Sequence, residues 1–157
     1  MSEQQQQIAE TINAARSRIG LSNDVDLQEF PNLVGMFDHC VNQYAANPAV
    51  SCLGHTLSYA DLDRLSAQFA CYLQEHSGLQ AGDRIAIQMP NILQYPVVLF
   101  GALRAGMIVV NTNPLYSERE LKHQLNDSGA KAIVVLANIA ETAAAVVGDT
   151  GVGTVIV

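Results

Sequence analysis

The polar loop at residues 111–116, NTNPLY, is the segment of this sequence best placed to take part in chemistry. It follows a short run rich in β-branched residues, 108–111, which predicts a buried parallel strand. Open α/β sheets bind their ligands at the carboxyl ends of such strands. The alternative is that Asn and Pro only form a turn there, which their backbone preferences favour. Replacement of Asn113 separates the two interpretations.

Three glycines near the end of the chain, Gly148, Gly151 and Gly153, resemble a phosphate-binding loop in composition only. A Walker loop requires Lys and Ser or Thr after its glycines, and a dinucleotide fingerprint follows a strand and opens a helix. The segment GDTGVG instead follows a predicted helix and leads into a strand. Gly101 and Gly106 have a similar interval, but no lysine follows, so helix packing and capping explain them.

The other reactive side chains form no catalytic group. The histidines lack a His-x-x-x-His pair, no serine lies in a G-x-S-x-G context, and carboxylates at i and i+2 project from different sides of a helix. The three cysteines lack a CxxC pair and are predicted to be reduced thiols. We therefore predict no catalytic, cofactor-binding or metal-ligating residue in this chain. The residues considered are His39, His55, His76, His123, Ser58, Ser66, Ser117, Ser128, Cys40, Cys52 and Cys71, with the pairs Asp61 and Asp63, and Glu118 and Glu120.

Composition excludes several classes of function. A chain of 157 residues with 49% apolar residues is one domain with enough material for a core. Its net charge of −7 argues against a nucleic-acid partner and against anionic membrane surfaces. The longest apolar stretch, 95–110, contains Arg104 and is shorter than the ~20 residues that span a bilayer. The N-terminus has no signal-peptide pattern, so we predict a cytoplasmic protein.

Residues 82–114 predict the β-α-β unit that positions the polar loop. Residues 84–88 and 108–111 read as strands, and residues 92–105 read as an apolar helix between them. Asn91 can cap the start of this helix, and Gly106 can adopt the left-handed conformation after its end. Pro96 is expected to disturb the first turns without breaking the helix. A helix this apolar must be covered on most sides, which places the unit in the middle of an α/β domain.

The N-terminal part predicts helices and one hairpin. Residues 1–32 form an arm with an amphipathic helix ended by Gly20, which either docks on the domain or reaches a second copy. Residues 33–44 form the next helix. Strands at 49–53 and 56–58 flank Gly54-His55, which suits a type II′ turn. Ser58 and Asp61 then form the capping box of a helix that ends near His76. The apolar face of the first helix comprises Ile8, Ile12, Ala15 and Ile19.

The C-terminal part continues the helix and strand alternation. Ser117 and Glu120 predict a capping box for a helix that ends near Gly129. Residues 132–136 are a strand, residues 138–147 an alanine-rich helix, and residues 154–157 a further buried strand. Natural termini are usually polar and exposed, so we expect more residues to follow Val157.

Several motifs together resemble the AMP-forming acyl-CoA synthetases of the adenylate-forming superfamily. LSYADL at 57–62 resembles the first core motif of that family, and LRAGMIVVNTNPLY at 103–116 resembles the second. GDRIAIQMPN, YPVVLFGALRAG and YSERELKHQLNDSGAKAIVV are most similar to bacterial long-chain fatty acid–CoA ligases. The similarity runs from about residue 33 to residue 157.

The resemblance implies an α/β fold with a mostly parallel sheet, helices on both faces and a small N-terminal hairpin. Residues 33–157 would be the first subdomain of the large N-terminal domain, truncated before the ATP-binding motifs. The parent enzyme would join a long-chain fatty acid to CoA through an acyl-adenylate, with ATP and Mg²⁺. The resemblance further implies peripheral contact with the inner membrane face and, through residues 1–32, a homodimer. Both motifs are chiefly structural in the family, so the fragment alone should bind no cofactor and be inactive.

Two other functions remain open at this point. The parent could be a medium-chain, aryl or luciferase-like acid ligase, because most residues that select the acid lie beyond this chain. A stand-alone α/β binding module, such as a flavodoxin-like domain, is the other class. It would need a hydroxyl- or glycine-rich loop after an early strand, and residues 88–91 fit that poorly.

Overall fold

A computed structural model describes residues 2–21 and 29–157. The chain divides into two compact units, Met1–Pro31 and Asn32–Val157. Part of the predicted N-terminal arm, residues 22–28, lies outside the described residues.

The first unit contains the predicted amphipathic helix, α1 (Glu3–Arg18). Ser2 accepts a hydrogen bond from the Gln5 N–H while the Gln5 side chain accepts one from the Ser2 N–H, so the helix begins with a capping box. None of its residues is buried, and Ile8 and Ile12 are 54% and 47% exposed.

The second unit is built on a four-stranded parallel sheet. Its strands are β3 (Arg84–Gln88), β4 (Ile108–Thr112), β5 (Ala132–Val135) and β6 (Thr154–Ile156), in the order β4-β3-β5-β6. β3 pairs with β4 on one side and with β5 on the other. The predicted fold class is confirmed, since helices cover both faces of this sheet.

Alternate residues of β3 and β5 enter two separate apolar clusters. Ile85 and Ile87 of β3 pack in the cluster with α3 (Tyr59–His76) and α4 (Gln94–Arg104). Ala86 packs in the opposite cluster with α5 (Glu118–Ser128) and α6 (Ala140–Val146). Because side chains of a strand point to alternate faces, a run without polar interruption can fill both layers.

The predicted hairpin is present, but its turn is one residue earlier than the sequence suggested. β1 (Pro48–Cys52) pairs antiparallel with β2 (His55–Ser58), and Cys52 lies opposite His55. The two turn residues are therefore Leu53 and Gly54, with φ of 49° and 80°. Positive φ at both positions is the type I′ pattern, so the type II′ prediction was wrong. Leucine rarely adopts a positive φ, so Leu53 gave no sequence signal for a type I′ turn.

The start of α4 also differs from the prediction. The helix begins at Gln94 after an N-cap at Leu93 that makes no side-chain cap bond, so Asn91 does not cap it. Residues 90–95 instead form turns through the Ile92 and Tyr95 N–H groups. Pro96 is consequently the third residue of the helix, where the N–H has no intrahelical acceptor and its loss disturbs nothing.

A partly buried arginine joins the helices on one face. Arg104 of α4 donates to the Asp63 main-chain oxygen, to the Ser66 hydroxyl and to the carboxylates of Asp63 and Asp38, and its guanidinium lies 5.0 Å from the Phe37 ring centre. Burial alone would lower the pKa of Arg104, but the hydrogen bonds to Asp38 and Asp63 outweigh it and raise the pKa. The guanidinium thereby connects α4 to α3 and to the predicted helix α2 (Leu33–Tyr44).

The C-terminal elements follow the predicted order with shorter bounds. α5 begins at the predicted capping box and ends at Gly129, whose φ is 65°. The predicted helix at 138–147 is divided into a 3₁₀ turn (Ala137–Ile139), α6 and a second 3₁₀ turn (Val147–Asp149). β6 is partly exposed rather than buried, because it is the outer strand of the sheet.

Helices α3 and α4 approach most closely at Gly101. A Cβ atom on Gly101 would lie 2.8 Å from the Ser66 carbonyl oxygen and 2.8 Å from Phe69 Cδ1. We expect Gly101→Ala to lower the free energy of unfolding by about 1–3 kcal/mol. The reason is that the Ser66 main-chain oxygen cannot move away from the new methyl group by a change of rotamer, as a side chain could. Urea denaturation of the chain measures this change.

Gly148→Ala is the matched control, since a Cβ there meets no atom within 4 Å and its φ is not positive. We expect its stability to be unchanged or raised by less than about 1 kcal/mol. Equal stability of the two variants would contradict the close contact at Gly101.

Candidate functional site

The candidate site is the edge of the sheet at which the parallel strands end. The chain leaves β3 through α4 on one face and leaves neighbouring β5 through α6 on the other. Such a change of direction between adjacent strands opens a crevice, the usual ligand position in open α/β sheets. The loops that border it are residues 89–93 after β3, residues 113–117 after β4 and the segment that follows Val135.

The loop after β4 is held in a turn by its own asparagine. Asn113 Oδ1 accepts a hydrogen bond from the Leu115 N–H at 3.0 Å, and the Asn113 carbonyl accepts one from the Tyr116 N–H at 3.2 Å. This is the side-chain turn geometry that favours Asn at such positions. The geometry therefore gives Asn113 the turn role, and the exposed apolar tip of the loop is Leu115.

Asn111 is bound from both faces of the sheet. The Tyr95 hydroxyl of α4 donates to Asn111 Oδ1 at 2.8 Å. From the opposite face, Gln124 Nε2 of α5 donates to the Asn111 carbonyl oxygen at 3.0 Å. The end of β4 is thus connected to both helix layers, which the sequence analysis did not predict.

Gln88 is a buried polar residue that the sequence analysis missed. It is the last residue of β3, its exposure is 0%, and its Nε2 donates to the Asn113 carbonyl at 3.4 Å. Among the residues that the structure describes, its Oε1 and the Oε1 of Gln124 are buried and have no hydrogen-bond partner. The sequence did contain a signal for it. Gln88 ends the apolar run RIAIQ at a position where a fully buried strand would usually have another aliphatic residue.

A cleft of 290 Å³ lies beside the loop that follows β3. Its walls come from that loop, from the first turn of α4 and from β1 of the hairpin, and they are mainly apolar. Cys52 Sγ donates to the Asn91 carbonyl at 3.8 Å, which joins the hairpin to the loop. The lining residues are Val50, Ser51, Cys52, Asn91, Ile92, Leu93, Tyr95 and Pro96.

The charged side chains next to the loop after β4 are of both signs, since Glu120 lies beside Arg119 in the chain. Glu120 accepts hydrogen bonds from the Ser117 hydroxyl and main-chain N–H, which lower the pKa of Glu120 below its ordinary value of 4.5. Neither residues 89–93 nor residues 113–117 include Lys or Arg. These two loops therefore offer no cationic side chain to a nucleotide phosphate.

In the part of the chain that the structure describes, the other candidate residues of the sequence meet in local helix contacts, such as Ser58 with Asp61 and Ser117 with Glu120. Among residues 2–21 and 29–157, no group of three His, Cys, Asp or Glu side chains is arranged to hold a metal ion. Cys40, Cys52 and Cys71 are free thiols. The glycine segment follows a 3₁₀ turn, and the Gly153 N–H bonds the Lys131 carbonyl at 2.9 Å on the way into β6. Within the same described residues, no helix has the length and apolar character needed to cross a membrane.

Comparison with known proteins gives a consistent family. Residues 37–157 match the model of the family described as AMP-binding enzyme. This chain belongs to the AMP-binding enzyme family. A long-chain-fatty-acid–CoA ligase of Escherichia coli O6:H1 is 53% identical over 133 residues, and one of Haemophilus influenzae is 48% identical over 137 residues. The resemblance seen in the sequence is confirmed.

This chain matches only part of these relatives. The alignments cover 85% and 87% of this chain but 24% of each relative. A solved structure of a Mycobacterium tuberculosis fatty acyl CoA synthetase matches 80% of this chain and 26% of its own, with a TM-score of 0.72 and 25% identity. The fold at the candidate site is therefore shared with larger enzymes of the family.

The turn role of Asn113 predicts a small, specific loss of stability. We expect Asn113→Ala to lower the free energy of unfolding by about 0.5–1.5 kcal/mol, because the Leu115 N–H loses its acceptor. Asn113→Asp keeps that acceptor and should remain within about 0.5 kcal/mol of the original. Thermal unfolding compares the three proteins.

The two interpretations of the loop are separated in the complete enzyme. An Asn113→Ala protein with unchanged stability and lowered turnover would contradict the turn role and indicate contact with substrate.

Proposed function

We propose that this chain is the N-terminal part of a long-chain fatty acid–CoA ligase. The parent enzyme condenses a fatty acid with ATP to an acyl-adenylate and pyrophosphate, and the CoA thiol then displaces AMP. The observation that carries the proposal is about 50% identity, over 85% of the chain, to proteins named long-chain-fatty-acid–CoA ligases. The family match at 37–157 supports the AMP-forming chemistry.

Within that parent, this segment serves as scaffold, with the ATP, Mg²⁺ and CoA contacts supplied by the remainder of the enzyme. The absence of Lys and Arg from residues 89–93 and 113–117 supports this division, because triphosphate binding requires concentrated positive charge or oriented N–H donors. The segment contributes the walls of a crevice and the loops that frame it.

The activity assay tests the proposal on two proteins. The complete enzyme should form acyl-CoA from palmitate, ATP and CoA and should exchange pyrophosphate in a fatty-acid-dependent reaction. The isolated 157 residues should do neither, because the loops at residues 89–93 and 113–117 contain no Lys or Arg to bind phosphate. Octanoate and benzoate serve as competing acids.

Each outcome has a separate meaning. A higher kcat/KM for octanoate or benzoate than for palmitate would assign the parent to another acid ligase of the superfamily. Pyrophosphate exchange by the isolated 157 residues would refute the scaffold role.

We further propose that the parent is cytoplasmic, contacts the inner membrane face peripherally through its lipid substrate, and forms a homodimer through residues 1–32. The dimer is supported by α1, which has an apolar row that includes Ile8 and Ile12 and buries none of its residues. Such a face is stabilised when a second apolar surface covers it.

The dimer predicts a charge-sensitive assembly. We expect Ile8→Glu in the complete enzyme to raise the dimer dissociation constant at least about tenfold, since a carboxylate would be desolvated at the contact. Gln6→Glu adds the same charge on the opposite side of α1 and should leave assembly unchanged. Sedimentation over a wide concentration range measures both, and a monomer at every concentration would contradict the dimer.

A further inference from the structure

Tyr95 and Asn111 form a second connection between the ends of β3 and β4, beside the Gln88–Asn113 hydrogen bond. Tyr95 lies in the first turn of α4, directly after the loop that follows β3, and Asn111 lies near the end of β4. The hydroxyl-to-amide hydrogen bond of 2.8 Å spans the gap between them. It therefore acts as a tie across one side of the candidate crevice.

The acceptor end of this tie is held in place. The Asn111 main chain lies opposite Ile87 in the β3–β4 ladder, and its carbonyl accepts a hydrogen bond from Gln124 at 3.0 Å. With the main chain of Asn111 held by both the sheet and α5, its side-chain oxygen has a defined position. A hydrogen bond to this oxygen positions the donor rather than the acceptor.

The donor end of the tie is the ring that forms a wall of the 290 Å³ cleft. Tyr95 packs against the α3 and α4 cluster and lines the cleft with Asn91, Ile92 and Pro96. Its hydroxyl bond limits rotation of the ring and the position of the α4 first turn. The position of the Tyr95 ring in the cleft wall therefore depends on this hydrogen bond, while the Gln88–Asn113 bond also joins the two loops.

We propose that Tyr95 and Asn111 are positioning residues of the ligase reaction. Their hydrogen bond sets the spacing of the loops after β3 and β4, so that the crevice keeps the geometry in which the rest of the enzyme aligns its substrates. This inference rests on the proposed function of the parent enzyme. In this role the two side chains act through each other, by the hydrogen bond that joins them.

The position of the bond favours a role in alignment over a role in folding. It joins partly exposed side chains at the rim of the domain, whereas the core beneath is filled by apolar side chains that do not depend on it. Misplacement of reacting groups by a fraction of an ångström lowers rate more than it lowers affinity. Loss of the tie should therefore lower kcat and leave KM nearly constant.

The experiment uses the complete enzyme with four variants of the Tyr95–Asn111 pair and one control variant. Tyr95→Phe and Asn111→Ala each remove the bond, and the double variant removes both partners. Asn111→Asp keeps an oxygen that accepts from the Tyr95 hydroxyl. Tyr72→Phe, at a partly exposed tyrosine on α3, is the control for removal of a hydroxyl elsewhere.

We expect Tyr95→Phe and Asn111→Ala to lower kcat for acyl-CoA formation by about three- to tenfold, the range of a single neutral hydrogen bond. The KM values for fatty acid, ATP and CoA should change by less than about twofold. The double variant should be no slower than the slower single variant, because both lose the same interaction. Asn111→Asp should keep most of the rate, and Tyr72→Phe all of it.

Three outcomes would overturn the inference. Rates equal to those of the original enzyme in both single variants would show that the tie has no role in turnover. Multiplying effects in the double variant would show that the residues act separately. A fall in melting temperature that accounts for the lost activity, without rescue by Asn111→Asp, would assign the pair to folding alone. An original enzyme without any acyl-CoA formation would instead refute the proposed function, and the inference with it.

Discussion

The burial of both faces of β3 is the constraint on which the rest of this structure depends. Residues Ile85, Ala86 and Ile87 are between 0% and 1% exposed, and the strand has a hydrogen-bonded neighbour on each side. One layer of helices can cover only one face of such a strand. The α3 and α4 pair must cover one face, and α5 and α6 must cover the other. The three-layer arrangement follows from five residues of sequence.

The same constraint produces the candidate site. Because β3 is central, the loop after it emerges in the middle of the sheet edge, beside the loop after β4. Polar groups appear there as soon as the strand ends: Gln88 bonds the Asn113 carbonyl, and Tyr95 bonds Asn111. The two buried Oε1 atoms without partners, on Gln88 and Gln124, lie in this polar layer. Unsatisfied polar atoms in native proteins are concentrated where function competes with stability, and this edge of the sheet fits that pattern.

Local patterns predicted the elements of the fold well, and tertiary relations poorly. The capping boxes at Ser58 and Ser117 depend on residues three positions apart, and both marked the start of a helix correctly. The hairpin turn was misplaced because Leu53 adopts a positive φ that its side chain disfavours and that pairing of the two strands imposes. Asn91 was predicted as a cap because capping preference is a local property. In the structure, the turns made by the Ile92 and Tyr95 N–H groups occupy these residues before the helix begins.

At the candidate site, only the NTNPLY loop could be recognised in the sequence. Its contacts with Gln88, Gln124 and Tyr95 cross 25, 13 and 16 positions and depend on strand order, which no local pattern encodes.

The close approach of α3 and α4 at Gly101 limits how this part of the enzyme can move. Two helices slide past each other when side chains separate them and can change rotamer. Here the Ser66 carbonyl lies where a side chain on Gly101 would begin, and Arg104 further binds α4 to α3 and α2. These contacts therefore prevent α3 and α4 from sliding past each other during a conformational change. We therefore expect α2, α3 and α4 to move together as one rigid body.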